Sequence, residues 1–230
     1  MVMKVVQLRV GRARELATGD WDCDCSVTLV TIATKHVLVD TGGAWAAPEL
    51  QASLAARGLA PEDISLVVCS HGHSDHVGCL ALFPHATHIV GRDINRRHEY
   101  VAAGVLARDQ SIGRCTATVS ADGAITTLVL DPSDAPLQVV TTPGHTGSCV
   151  SVLLASESPF NFERADGANS TVHRVAIVGD LWECDGDEGW WRDLSEMPAL
   201  HEKSRAFVLA WQPEMLVPGH GAAFAPTAQD

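Results

Sequence analysis

The sequence has no uninterrupted apolar run near the length of about 20 residues that a membrane-spanning helix needs. Its first ten residues lack the apolar centre and the small-residue cleavage site of a secretory leader, so we expect a β-strand there. Both absences predict a cytoplasmic protein that acts away from membranes.

Basic residues are also scarce. The chain has 16 Lys and Arg against 28 Asp and Glu, which gives a net charge of −12. This balance opposes loose, non-specific binding to nucleic acid, because such binding depends on many cationic contacts to phosphates. A local RNA site is still compatible with it, since bound divalent cations supply positive charge where a phosphate must lie.

A regular cysteine framework is absent, because the seven cysteines are odd in number and scattered. This usage favours reduced thiols inside the cell over disulfides. The 230 residues suffice for a substantial core, and no low-complexity tract or shift in composition marks a linker. We therefore expect one domain over residues 1–230.

The chain does contain a series of short apolar segments with the composition of strands. The predicted strands are 1–10, 26–33, 36–39, 64–69, 87–90, 125–130, 137–141, 149–154, 172–178 and 215–217. The predicted helices are 48–57, 77–83 and 195–211, with a less periodic lid or interface at 93–122 and a polar loop at 156–170. Many strands and few helices favour an α+β fold in which two sheets are covered outside by helices.

Three histidines and one carboxylate are concentrated in residues 70–76, Ser-His-Gly-His-Ser-Asp-His. A strand is predicted just before this segment and a helix just after it, and a strand-to-helix turn can direct all four side chains into one cavity. Neutral imidazoles and a carboxylate suit zinc, and also iron or manganese. His71, His73, Asp75 and His76 are therefore candidate metal ligands.

Three further candidates, His145, Asp180 and His220, each follow a predicted strand and come directly after a glycine. Glycine lets the backbone approach a site closely, and functional residues gather on loops held by a rigid scaffold. The seven candidates divide into two ligand sets, with His71, His73 and His145 in the first, Asp75, His76 and His220 in the second, and Asp180 between them. Each of two divalent cations would keep an open position for water, as a catalytic site requires.

The pattern His-x-His-x-Asp-His at 71–76, followed by His145, Asp180 and His220, resembles that of the metallo-β-lactamase superfamily. The resemblance implies an αββα four-layer sandwich, with two mixed β-sheets covered by outer helices, and metal-dependent hydrolysis. It also implies that Asp40 holds the ligand histidines in position without itself binding a metal. A cap on a helix or turn is the alternative role for Asp40.

Segments 38–45, 70–78, 179–188 and 217–224 resemble the metallo-β-lactamase domain-containing protein 1 family, which is glyoxalase II-like in fold but has no helical C-terminal domain. This resemblance implies a homodimeric endoribonuclease of cytosol and nucleus that cleaves histone pre-mRNA at its 3′ end. Residues 146–148, Thr-Gly-Ser, depart from that family and look like the general superfamily form, which leaves the substrate open.

If RNA is the substrate, Asp75 is the candidate catalytic residue that accepts or relays a proton. Arg92, Arg96 and Arg97 lie in the best local basic segment, 91–98, and are candidate contacts to the RNA backbone. A solvated helix face is the alternative for that segment. Trp182 is a candidate for stacking on a base, with packing in the core or at a dimer interface as its alternative.

Other activities remain open on the sequence alone. Relatives of the glyoxalase II and lactonase type hydrolyse small thioesters or lactones, which suits the acidic charge of this chain. A related iron-dependent persulfide dioxygenase branch uses only the positions that match His71, His145 and Asp180. A non-catalytic scaffold is disfavoured, because a closed structural zinc needs four ligands and this chain retains seven candidates.

Overall fold

β-Strands dominate the structure, a computed structural model that describes residues 2–101, 111–127, 135–187 and 189–227. The strands are β1 (Met3–Arg9), β2 (Arg12–Glu15), β3 (Trp21–Asp24), β4 (Val27–Ile32), β5 (Lys35–Val39), β6 (Ile64–Cys69), β7 (Thr87–Val90), β8 (Asp93–Arg96), β9 (Glu99–Tyr100), β10 (Cys115–Val119), β11 (Ile125–Thr127), β12 (Leu137–Thr141), β13 (Val150–Glu163), β14 (Asn169–Gly179) and β15 (Met215–Pro218). The α-helices within the described ranges are α1 (Ala47–Ala55), α2 (Ser74–Val77) and α3 (Pro198–Ala210). Short 3-10 turns lie at Ala44–Ala46, Pro61–Asp63, Leu80–Leu82 and Trp190–Arg192.

The strands form two halves that share one long strand. The hydrogen-bonded order is β11-β10-β12-β13-β1-β4-β5-β6-β7-β8-β9, with β14 beside β13 and β15 beside β14. Strand β13 pairs with β12 through Val150–Leu154 and with β1 through residues 161–163. Its register breaks between Ala155 and Phe160. Because such breaks bend a strand, β13 can serve both halves. Strands β2 and β3 form a separate hairpin.

Strand β6 shows how the first half is layered. Its Leu66 and Val68 belong to the apolar cluster between the two halves, whereas Val67 and Cys69 belong to an outer cluster that includes Leu54 of α1. Successive side chains of a strand point to opposite faces, so both faces of this half are buried. Helix α1 therefore covers the outside of the first half.

Strand β14 repeats this arrangement in the second half. Val175 and Ile177 enter the central cluster, whereas Ala176 and Val178 pack in another outer cluster with Val208 of α3. The layers therefore run helix, sheet, sheet, helix. The predicted αββα sandwich is confirmed. No helix in the described ranges is both long and apolar enough to span a membrane.

The predicted polar loop at 156–170 is wrong. Strand β13 continues to Glu163 and β14 begins at Asn169, so that the connection is only residues 164–168. Phe160 and Phe162 are buried in the central cluster. These two phenylalanines pack the polar hairpin against the sandwich, although the polar residues on its outer face are typical of a loop in the sequence.

The helix predicted to follow the histidine cluster as far as Phe83 is also wrong, because the observed helix begins inside the cluster and is shorter. Helix α2 is a single turn, because the next backbone N–H groups do not continue the helical pattern: Cys79 N–H donates to Thr41 Oγ1 at 3.1 Å. Gly78 allows this departure, since a Cβ there would lie 2.2 Å from the backbone nitrogen of Ala44.

The basic segment 91–98 is not a helix. Strand β8 lies within it and pairs antiparallel with β7, and the turn that follows places Arg97 at φ +54°. The predicted lid or interface at 93–122 contributes β8, β9 and β10, and its residues 102–110 lie outside the described ranges. The predicted strand 125–130 is seen as β11, and its residues 128–130 lie outside them too.

Candidate metal centre

All seven candidate ligands lie just beyond the carboxyl ends of strands. The cluster 71–76 follows β6, His145 follows β12, Asp180 follows β14 and His220 follows β15. Strands β14 and β15 are parallel, so their carboxyl ends meet at one edge. The N–H of Val150 at the start of β13 donates to Ser70 O at 2.9 Å, which joins the β6 end to the other half. The two halves of the sandwich therefore build one site.

The first ligand set brings three imidazole nitrogens and one carboxylate oxygen together. His73 Nδ1 lies 2.8 Å from His71 Nε2 and 3.1 Å from His145 Nε2. Asp180 Oδ2 lies 3.5 Å from His71 Nε2 and 3.3 Å from His145 Nε2. A tetrahedral zinc with Zn–N distances of about 2.0–2.1 Å separates its ligand atoms by about 3.3 Å, so these spacings suit such an ion.

The second ligand set lies on the other side of Asp180. Asp180 Oδ1 is 3.2 Å from His76 Nε2 and 3.4 Å from His220 Nε2. Asp75 Oδ2 is 3.7 Å from His76 Nε2 and 3.8 Å from His220 Nε2. The two oxygens of Asp180 thus face different sets, and the structure brings all seven candidates together.

Glycines permit this crowding around Asp180. Gly179 has φ +53°, and a Cβ there would lie 2.4 Å from Ser70 Oγ. A Cβ on Gly219 would lie 1.9 Å from Asp180 Oδ1. A side chain at Gly179 would displace Ser70, and one at Gly219 would displace Asp180, which explains why a glycine precedes Asp180 and His220.

Asp40 lies behind the second set, at the end of β5, with φ +56°. Its Oδ1 accepts the N–H of Ser70 at 2.7 Å, and its Oδ2 lies 3.1 Å from both Ser70 Oγ and His76 Nδ1. A carboxylate at Nδ1 directs the Nε2 lone pair of an imidazole toward a metal. These contacts favour the supporting role over a helix cap.

Burial and charge set the protonation of the site. Burial lowers the pKa of His71 well below its ordinary value and also lowers that of His145. Burial opposes a charge on His76 and His220 too, but their anionic neighbours, Asp180 foremost, together outweigh it, raising the pKa of His76 well above its ordinary value and that of His220 to about 9. The same histidines hold the pKa of Asp180 well below its usual range despite burial. A cation in the second set must therefore displace protons.

The residues fit a pair of divalent cations. His76 Nε2 and Asp180 Oδ1 are buried and have no hydrogen-bond partner among the described residues. A buried polar atom left unsatisfied costs about 1–3 kcal/mol, and coordination would satisfy both atoms. His73 is exposed and Asp75 is half-buried, so one side of the site is open to solvent.

The predicted substrate contacts lie elsewhere. Arg92 is buried and donates to the carbonyl of Gly147, so it anchors the loop that carries His145. Arg96 pairs with Thr87 at the end of β7 away from the site, and Arg97 follows it in the turn. Trp182 is only 1% exposed, which corrects its predicted role, because no face of its ring is open to a base.

Sequence reasoning missed Glu183, which is 2% exposed and points into the site. Its Oε1 lies 3.8 Å from His145 Nδ1, and its Oε2 lies 3.8 Å from His220 Nε2. Burial, together with the charge of Asp180, raises the pKa of Glu183 to about 8. The sequence signal for Glu183 was its position three residues after a candidate ligand. That signal is weak, because Glu183 is one of four acidic residues among positions 183–188.

Comparisons with known proteins agree with this geometry. Residues 20–158 match the metallo-beta-lactamase superfamily. The chain is 37% identical to metallo-beta-lactamase domain-containing protein 1 of Xenopus laevis over 93% of its own length and 78% of that protein. It is 40% identical to the human protein of that name over 84% of its own length, and spans 60% of the human protein.

Two further matches concern part of the chain or the fold alone. An N-acyl homoserine lactonase, AttM of Azorhizobium caulinodans, is 49% identical over 93 residues, which are 39% of this chain and 30% of that protein. A crystal structure from Thermotoga maritima, described as a candidate metallo-beta-lactamase, superposes with a TM-score of 0.62 at 19% identity. That superposition covers 98% of this chain and 100% of the other.

Proposed function

The chain belongs to the metallo-β-lactamase superfamily, and on that premise we propose that it is a hydrolase that works with two divalent cations, zinc first among them. The observation that carries this proposal is the position of Asp180, whose two carboxylate oxygens face two separate ligand sets. When bound there, the cations would lower the pKa of a water molecule and polarise the group to be cleaved.

We assign the proton transfer to Asp75. Its carboxylate is half-buried at the open side of the site, so it can reach both solvent and a bound substrate. There it would accept a proton from the attacking water and pass it to the leaving group. The other five candidate ligands are buried, which leaves Asp75 and His73 as the ligands nearest to incoming substrate.

The charges around the site favour a small ester, thioester or lactone as the substrate. Arg92 is committed to the Gly147 carbonyl, and Arg205 is buried against Asp187. The carboxylate of Asp75 borders the second ligand set instead. A neutral acyl substrate meets less repulsion there than a polyanion does. The partial similarity to an N-acyl homoserine lactonase supports the same substrate class.

RNA is the second candidate substrate, and the similarity to the domain-containing protein 1 family over 93% of the chain supports it. In that case the reaction is phosphodiester cleavage, and the family resemblance leads us to propose the 3′ ends of histone pre-mRNA as the substrate. On the same basis we propose a homodimer that is located in the cytosol and nucleus. A persulfide dioxygenase is less favoured, because Asp75, His76 and His220 all remain around Asp180 although one iron would not need them.

One panel of substrates separates these activities. Zinc-loaded protein is assayed with an N-acyl homoserine lactone, an acyl thioester and a labelled single-stranded RNA, and iron-loaded protein is assayed for oxygen consumption with a persulfide. The His73→Ala variant is purified in parallel. We expect lactone or thioester hydrolysis that is lost in the variant. RNA cleavage lost in the variant would establish the endonuclease instead, and equal cleavage by both proteins would indicate a contaminant.

A further inference from the structure

Three of the four buried histidines of the site share one feature. His71, His76 and His220 each point one ring nitrogen at a ligand set and hold the other nitrogen against a partner outside it. His71 Nδ1 lies 3.1 Å from Ser70 Oγ, and His76 Nδ1 lies 3.1 Å from Asp40 Oδ2. His220 Nδ1 lies 3.1 Å and 3.2 Å from two backbone carbonyls, those of residues 24 and 12. Such partners fix the tautomer and the orientation of a metal-binding imidazole.

His145 is the exception. Its Nε2 faces the first ligand set, but its Nδ1 is buried without a hydrogen-bond partner among the described residues. Glu183 Oε1 is also buried without one, and it lies 3.8 Å from that nitrogen. A donor and an acceptor that both lack a partner thus face each other. Their separation is about one ångström longer than a normal hydrogen bond.

The backbone of Glu183 is held in place, so that only its side chain needs to move. Its N–H donates to Asp187 Oδ2 at 2.8 Å, and its carbonyl accepts the N–H of His220 at 2.7 Å. Asp187 is in turn bonded to the buried Arg205, whose guanidinium lies 4.6 Å from the ring centre of Trp182. A rotation of the Glu183 side chain can therefore close the gap without any rearrangement of the chain.

We propose that Glu183 is the positioning residue of His145. Its Oε1 accepts the Nδ1–H of His145, which fixes the tautomer that leaves Nε2 free for a cation in the first set. Its Oε2 at the same time faces His220 Nε2, so that one carboxylate touches both ligand sets. This role rests on the proposed metal-dependent function and adds an eighth side chain to the site.

Zinc affinity and a proton signal test the proposal together. Glu183→Ala removes the acceptor, whereas Glu183→Gln keeps an oxygen acceptor but removes its charge. Asp185→Asn is the matched control, because Asp185 is an exposed carboxylate of the same segment. Zinc affinity is measured by competition with a chromophoric chelator. Long-range ¹H–¹⁵N spectra of histidine-labelled, zinc-loaded protein report the tautomer of His145.

We expect zinc binding by Glu183→Ala to be about 10- to 100-fold weaker than in the wild type, with a smaller loss in Glu183→Gln and none in Asp185→Asn. The wild type should show a protected proton on His145 Nδ1 that loses protection in Glu183→Ala. If Glu183→Ala does not fold, the near-isosteric Glu183→Gln tests the positioning role instead, by its zinc affinity and its His145 proton signal relative to Asp185→Asn.

Two results would overturn the assignment in different ways. Equal zinc affinity in the Glu183 variants and in Asp185→Asn, with an unchanged His145 proton signal, would remove the positioning role but leave the proposed function standing. A wild-type protein that binds no zinc at all would overturn the proposed function and, with it, this role.

Discussion

Asp40 Oδ2 lies 3.1 Å from His76 Nδ1, on the side of the imidazole that faces away from Asp180. The same carboxylate accepts two hydrogen bonds from Ser70, through its N–H and its Oγ. One acidic residue in a left-handed backbone conformation therefore fixes both the strand end and the imidazole that follows it. A left-handed position held by a non-glycine residue is a common property of functional sites.

Asp40→Asn should weaken zinc binding at the second set about 10- to 100-fold, because asparagine has one acceptor oxygen and no charge, whereas Asp40 uses one oxygen for the Ser70 N–H and the other for His76 Nδ1. Asparagine tolerates φ +56°, so the backbone should be retained. Zinc titration with stoichiometry by mass spectrometry checks this, with the exposed Asp20→Asn as the control. Full occupancy at wild-type affinity would show that Asp40 does not support His76.

Zinc binding should release protons, and affinity should rise from pH 6 to pH 9. In the metal-free protein, burial is outweighed by Asp180 together with other anionic neighbours, which raises the pKa of His76 well above its ordinary value and that of His220 to about 9. Both imidazoles must lose a proton to bind a cation. Calorimetry in two buffers of different ionisation enthalpy measures the number released. A binding heat that is independent of buffer would contradict this.

The metal-free protein should lose stability as pH rises. The pKa of His220 is raised from about 6.5 in an unfolded chain to about 9 in the fold, so its contribution is full below pH 6.5 and lost by pH 9. The difference amounts to about 3 kcal/mol at most. Urea unfolding with a chelator at pH 6.5 and pH 9 measures it. An unchanged or increased free energy of unfolding at pH 9 would refute the assignment.

Arg205→Ala should destabilise the fold by about 3–5 kcal/mol, because it leaves the buried carboxylate of Asp187 without its cation. It also removes the guanidinium that lies 4.6 Å from the ring centres of both Trp182 and Trp191. Arg192→Ala is the matched control, since Arg192 also contacts Trp191 but its side chain is 49% exposed. We expect a loss below about 1 kcal/mol there. Similar losses in both variants by urea unfolding would argue against the buried pair.

Local pattern was sufficient to predict where the ligands gather. A glycine followed by Asp180 or His220 at the end of an apolar strand is visible in the sequence, and the carboxyl ends of neighbouring strands meet at one edge. The outer part of the β13 and β14 hairpin was not predictable in this way, because its outward residues are polar and, within 156–170, only Phe160 and Phe162 mark its buried face.

The side chains around the ligands were harder to predict than the ligands themselves. Arg92 reads as a surface cation, but tertiary contacts bury it against the loop of His145. Glu183 reads as one acidic residue among several, and only the fold sets it apart from its neighbours by placing it beside His145. These roles depend on contacts between residues distant in the sequence.

Two ligand sets share Asp180, and anomalous diffraction at the zinc edge tests this sharing most directly. Crystals grown with excess zinc should show one strong peak among His71, His73 and His145 and a second among Asp75, His76 and His220. Crystals of Asp180→Ala should lose or weaken both peaks. A single peak in the wild type, or two peaks that persist undiminished without Asp180, would contradict the account.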